Sequence, residues 1–261
     1  ILNESSVSAN TTATVTRAFA PVRALALPAW MSGLQDAVLQ TDMAAILDRG
    51  ACAQAQVSLV FQDLVAELKA GGGALSSSQF ADLKTIVANL GALGASSYTQ
   101  YVANALVNGN IANATWTGGG SSAVKLGNLA AGASATALAE LTGKWFLGTD
   151  NPLSTVSMSG YASFSVSYKT NAAPLFGAAG PVMNDVNQGY LGDCYLLSSM
   201  AELASQNPNA VRSLIVDNGD GTYGVRFNFG GKASYVTVDA TLPNGGTIFN
   251  RGADAWVGLV E

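Results

Sequence analysis

The run Gln188-Gly189-Tyr190-Leu191-Gly192-Asp193-Cys194-Tyr195-Leu196-Leu197 sets a thiol between a turn and an apolar stretch. The only other cysteine among the 261 residues is Cys52. Gly189 and Gly192 permit a tight backbone path, and Asp193 is a residue type that caps helices. Cys194 is therefore expected in the first turn of a helix whose Leu196, Leu197, Met200 and Leu203 face a core. A thiol there meets unpaired amides and the positive end of the helix, which favour the thiolate, the nucleophilic form. Gln188 carries a side-chain amide that, brought to the same point, would donate to the oxyanion formed when a thiolate attacks a carbonyl. These are the parts of an acyl-transfer site. The competing reading is that Cys194 is a small buried hydrophobe, a common fate of free cysteines.

The chain contains no histidine. Within these residues no imidazole can bind a metal or take a proton, and serine clusters such as Ser157-Met158-Ser159-Gly160 have no base beside them. Gly118-Gly119-Gly120 lacks the Lys and Ser/Thr of a phosphate loop. Asp217-Asn218-Gly219-Asp220-Gly221 begins like a calcium loop but has no glutamate at the twelfth position, and reads as a turn between two strands. Lys plus Arg number 12 against 17 Asp plus Glu, so no basic patch awaits nucleic acid, whereas the acidic balance suits calcium. The apolar stretches, such as that around Ala130 to Leu141, are broken by Gly, Ser and Thr and fall short of the roughly 20 residues of a membrane span. Charged residues are only 11% of the chain, which leaves a Ser/Thr/Gly-rich surface and favours an exported bacterial protein, extracellular or at the cell surface.

At Gln188, Gly189, Leu191, Gly192, Asp193, Cys194, Leu196 and Leu197 the sequence resembles the calpain family of cysteine proteases, whose nucleophile lies in Q-G-x-L-G-D-C-W-L-L. Tyr195 departs from the family's tryptophan and keeps an aromatic ring. Tyr223 to Pro243 is similar to the family's strand pair ending in V-x-x-D-x-x-L-P, with Asp239, Leu242 and Pro243 in place. Ala255 to Glu261 is similar to its W-x-x-L-L-E helix start. The resemblance covers about Phe176 to Glu261. It implies the first, cysteine-bearing half of a papain-like core, with Cys194 as nucleophile and Gln188 as oxyanion donor. It also implies a structural calcium held by Asp185, Glu261 and the carbonyls of Ala178 and Gly180, all hard oxygens of the kind calcium accepts. The family's His and Asn belong to the second half-core. The expectation is therefore a calcium-dependent cysteine endopeptidase acting on protein or peptide substrates, present as a fragment that needs a downstream half-core and is inactive alone. The alternative is a non-catalytic binding or scaffold protein built on the same half-core.

The elements that must position these residues follow from periodicity. Residues 1–28 show no clear period and read as a poorly ordered lead-in. Residues 29–116 form a helical region. Its stripes are Leu34, Val38, Met43, Ile46 and Leu47, stopped by Gly50, then Val57, Val60, Phe61, Leu64, Val65 and Leu68, stopped by Gly71-Gly72-Gly73. A capping box from Ser76 to Gln79 opens a third helix, and a fourth runs about Tyr98 to Val107. Residues 117–170 read as linker and connecting segment, with a short helix at Ala135 to Leu141 and a strand from Met158 to Lys169 carrying Tyr161, Phe164, Val166 and Tyr168. Residues 171–261 hold the helix Tyr195 to Ala204, the strands Tyr223 to Phe229 and Ser234 to Ala240, and a last helix from Ala253. The fold class is α+β, a helical bundle followed by a helix and antiparallel strands.

Overall fold

The computed structural model describes residues 27–157, 163–189, 192–244 and 254–261. The expected disorder of residues 1–28 lies almost wholly outside them. The amino-terminal half is a bundle of α1 (Ala37–Arg49), α2 (Gln54–Gly71), α3 (Ser77–Asn89) and α4 (Ser97–Val107), joined after an antiparallel pair of short strands, β1 (Thr115–Trp116) and β2 (Val124–Lys125), by α5 (Ala135–Thr142). Four of these five helices start on a capping side chain, and α2, which follows Ala53, has none. Asp36, Ser76, Ser96 and Ser134 accept backbone N–H bonds as side-chain caps, and Ser76 with Gln79 forms the expected capping box. Gly50 (φ 65°) and Gly72 (φ 61°) close α1 and α2 in the left-handed conformation that costs glycine little.

The apolar stripes meet in one core that contains Leu39, Met43, Phe61, Leu64, Leu83, Ile86, Tyr98 and Leu106. Beyond α5 the chain makes a π-helical turn, Gly143–Leu147, whose Trp145 and Phe146 enter the same core. Residues 117–118 are fastened to the bundle, since the Thr117 and Gly118 amides and the Thr117 hydroxyl all donate to Asp150, which also pairs with Lys144.

Short strands follow: β3 (Thr155–Val156), β4 (Phe164–Ser165) and β5 (Ser167–Thr170). The single strand expected from Met158 to Lys169 is not what forms. Met158 and Tyr161 lie outside the described residues, and from there on the chain changes partner, β4 pairing β3 while β5 pairs β9 (Thr241–Asn244). Val166 marks the switch: it is buried, and its amide donates to Ser154 O at 2.7 Å. Alternation reports which side a residue faces but carries no information about which strand it pairs with.

The remaining half holds α6 (Cys194–Gln206), α7 (Pro208–Leu214), the sheet β6 (Ile215–Asp217), β7 (Thr222–Phe229) and β8 (Lys232–Asp239), and α8 (Ala255–Val260). Asp217 to Gly221 makes the β6–β7 turn, as expected: Asp217 accepts from Gly219 N and Asp220 from Thr222 N. Strand register puts Gly224, Arg226, Tyr235 and Thr237 on one face of the β7–β8 hairpin, and Val225, Phe227, Val236 and Val238 on the other. The second face turns toward α8, whose Trp256 and Val257 join Leu197, Met200, Val211 and Ile215 in a smaller core.

The first face carries the bundle. Tyr235 packs against the Tyr98 and Tyr101 rings at 5.6 and 5.4 Å. Gly224 has no room for a Cβ, because the Tyr98 ring fills that space. The Thr237 hydroxyl donates to the Trp145 carbonyl at 2.5 Å and so must accept from Tyr98 OH at 2.7 Å. Asn218 donates to Tyr98 OH in turn, at 3.4 Å. Thr237→Val would strand the Tyr98 hydroxyl and the Trp145 carbonyl in a dry interface. It is expected to cost about 1–3 kcal/mol, read as a lower urea midpoint.

On α1 the Asp42 carboxyl is pushed up to about 6 from 3.8, first by burial and then by Asp63 and Asp36. Its folded value lies above its unfolded one, so stability from this group is fullest at low pH and is lost as pH rises through about 6. Asp42→Asn should raise the melting temperature near pH 7 and flatten its decline between about pH 4 and 6.

Candidate active site

The surroundings of Cys194 are built from α6 outward. Cys194 is the first residue of this thirteen-residue helix, and it is exposed, so the reading of a sealed packing cysteine does not hold. Leu197, Met200 and Ala204 anchor the helix in the smaller core, with Leu196 and Leu203 packed at its edge. The opposite face, from Cys194 and Tyr195 through Ser198 and Ser199 to Glu202, stays open. Tyr195, next to Cys194, is 74% exposed, and Met183, in a short turn packed against α6, is 52% exposed.

The expectation that Asp193 caps this helix is corrected by its backbone. At φ −107° and ψ 20° Asp193 is not extended as the other caps are, and its side chain makes no capping bond. Its carbonyl accepts from Leu196 N and Leu197 N instead. Both carboxylate oxygens are buried with no partner among the described residues.

The segment leading to Cys194 is bolted to α8. Ala255 N donates to Pro174 O and Trp256 N to Leu175 O. The Gly177 amide donates to Asp254 Oδ2 at 2.6 Å. Asp185 Oδ2 accepts from Val182 N and from Trp256 Nε1, both at 2.8 Å. These bonds hold residues 174–185 against the core, and Gln188 follows on the surface, exposed like Cys194. Tyr190 and Leu191, between them, lie outside the described residues.

Of the four expected calcium ligands, Ala178, Gly180 and Asp185 lie in this one bolted loop. Glu261 closes α8 and lines a cavity of about 340 Å³ with Leu242, Pro243, Gly258 and Val260. Two carboxylates and two carbonyls are donors of the kind calcium accepts; Trp256 of α8 bonds Asp185, while Glu261 ends the same helix on a cavity that Ala178, Gly180 and Asp185 do not line. Among the described residues no three His, Cys, Asp or Glu side chains cluster to hold a metal, so any ion here would depend on the carbonyls. One neighbour bears on that fit: the Arg212 guanidinium lies against Gly180 in the space a side chain would take.

Sequence reasoning did not find α7, the Trp256–Asp185 bond, the Asp254–Gly177 bond or Arg212. Pro208 after Asn207, a capping residue followed by a proline at the first helical position, was the available signal for α7. The others are contacts over long sequence separations, with no local trace.

The two thiols differ in access. Cys52 is buried, and burial raises its thiol above the ordinary range, while Cys194 is open to solvent. Iodoacetamide on the native chain should therefore modify Cys194 first, with Cys52 following only in denaturant. Peptide mapping that found both thiols labelled together would contradict this placement. None of the described helices is long and apolar enough to cross a membrane.

Residues 165–261, less than half of the chain, match the family model of calpain family cysteine proteases. The matched span begins just before β5 and takes in Gln188, Cys194, the β7–β8 hairpin and α8. The resemblance read from the nucleophile motif therefore holds over the whole α+β half. The match is to a family of cysteine peptidases.

Proposed function

With its carboxyl-terminal part matched to the calpain cysteine proteases, we propose that this chain supplies the nucleophile-bearing half of a calcium-dependent cysteine endopeptidase. The exposed thiol of Cys194 at the start of α6 carries this reading. Cys194 Sγ attacks the scissile carbonyl carbon, forming a C–S bond and placing negative charge on the carbonyl oxygen. The Gln188 side-chain amide donates a hydrogen bond to that oxygen. Collapse breaks the C–N bond and leaves an acyl-thioester on Cys194. The departing amine must take up a proton, and a chain without histidine has no imidazole to deliver it. A His, oriented by an Asn, is assigned to a downstream half-core. Calcium, held by Asp185, Glu261 and the carbonyls of Ala178 and Gly180, would supply positive charge that ties the 174–185 loop to α8.

This division of labour separates acylation from turnover. With an activated ester such as p-nitrophenyl acetate, the 261-residue chain should release at most one nitrophenolate per Cys194 in a burst, and should cleave no peptide. Cys194→Ala should abolish the burst, and Gln188→Ala should slow it by about 10²-fold or more. A chain extended along its reading frame to include a His and an Asn should hydrolyse casein and lose that activity with Cys194→Ala. An extended chain that acylates but never hydrolyses would instead favour the scaffold reading.

A further inference from the structure

Arg212 sits at the end of α7 and lays its guanidinium on Gly180. Gly180 is buried and adopts φ 76°, so the position is closed to most side chains and the space beside it belongs to the arginine. The Arg212 Cζ lies 5.1 Å from the centroid of the Phe176 ring, which holds the cation by its negative face. Among the described residues no carboxylate lies within ion-pair distance of Arg212. Its charge is held by an aromatic face and a backbone turn, at a residue whose carbonyl is assigned to calcium.

We propose that Arg212 is the resident cation of the 176–185 loop and competes with calcium for it, so that metal binding requires the guanidinium to leave Gly180. This rests on the calcium reading above. The guanidinium fills the space beside the Gly180 Cα, so a divalent ion on the Gly180 carbonyl would share that residue with it, at a charge separation on the order of 5 Å. At that separation, even in water, like-charge repulsion weakens binding by roughly ten-fold. In the absence of metal the arginine keeps the loop ordered through its contacts with Phe176 and Gly180, and the loop in turn carries Asp185 to its bond with Trp256. The arrangement sets a threshold: only calcium high enough to displace an intramolecular cation loads the site.

Calcium chloride titrated into the whole chain, followed by calorimetry and Trp fluorescence, tests this directly. Arg212→Gln should bind calcium roughly ten-fold more tightly than wild type. Arg212→Lys, which keeps the charge, should stay within a few-fold of wild type, and Asp185→Asn should lose the site. Without calcium, Arg212→Gln should melt below wild type, and the ion should restore it. If Arg212→Gln binds calcium no more tightly than wild type, the competition is overturned and the calcium site stands. If none of the proteins binds calcium, both fall. Should Arg212→Gln fail to fold, the Arg212 Nε–H resonance of wild type decides: it must move as calcium is added. A fixed resonance while the Asp185 amide shifts would overturn the proposal.

Discussion

The described structure depends on the β7–β8 hairpin, packed on one face by the bundle and turned toward α8 on the other, where Val225 is buried and Phe227 and Val236 stay exposed. The face of β7–β8 bearing Gly224, Tyr235 and Thr237 is closed by α4 and the π-turn. The other face, with Val225 and Val238, looks toward α8. The first closure is polar and directional. Asn218 donates to Tyr98, Tyr98 to Thr237 and Thr237 to the Trp145 carbonyl, so the proton of each hydroxyl is committed. Such a chain is favourable only when complete, because a buried hydroxyl without a partner costs more than the bond returns. The π-turn earns its irregularity here: it releases the Trp145 and Phe146 carbonyls, which Thr237 and Gln54 then satisfy.

That seam changes how the amino-terminal helices are understood. Tyr235, from β8, belongs to the bundle's own core, and Tyr101 bonds Ser234 of the same strand at 2.9 Å. The bundle and the matched half therefore share a core residue. The hairpin is fixed on one side by the helices and on the other it supports α8, the helix that bolts the 174–185 loop. A continuous set of packed elements thus runs from the bundle to the residues just before Gln188 and Cys194.

Around Cys194 the architecture is more open. α6 buries one stripe and leaves Cys194, Tyr195 and a serine-rich face uncovered, while the Asp193 carboxylate is buried with no donor among the described residues. A catalytic thiol must be reachable by substrate and by a base, and exposure is the first of those requirements. The loop before it is held by Trp256, Asp254 and Arg212. A hydrogen-bonded indole, a backbone-capping carboxylate and a guanidinium on an aromatic ring fix one surface loop by three different means.

Much of this was legible in the residues alone. Four bundle helices, their Gly stops, the Ser76 to Gln79 box, the β7–β8 hairpin and the head of α6 all follow from periodicity and end chemistry. Those signals are local: a stripe at helical spacing or a serine three residues before a glutamine acts within one or two turns. The nucleophile motif was legible for the same reason, its glycines, glutamine and cysteine lying within one short stretch. What the residues did not disclose depends on partners far along the chain. Val166 changes strand partner, Asp193 turns away from the amides it was expected to cap, and α8 and α7 reach back to hold the 174–185 loop. Sequence determined the bundle helices, the β7–β8 hairpin and where the thiol stands on its helix, because backbone preferences act between neighbours. Tertiary structure alone decided which faces meet and which charges are left beside the site, because those depend on how distant segments fill the same space.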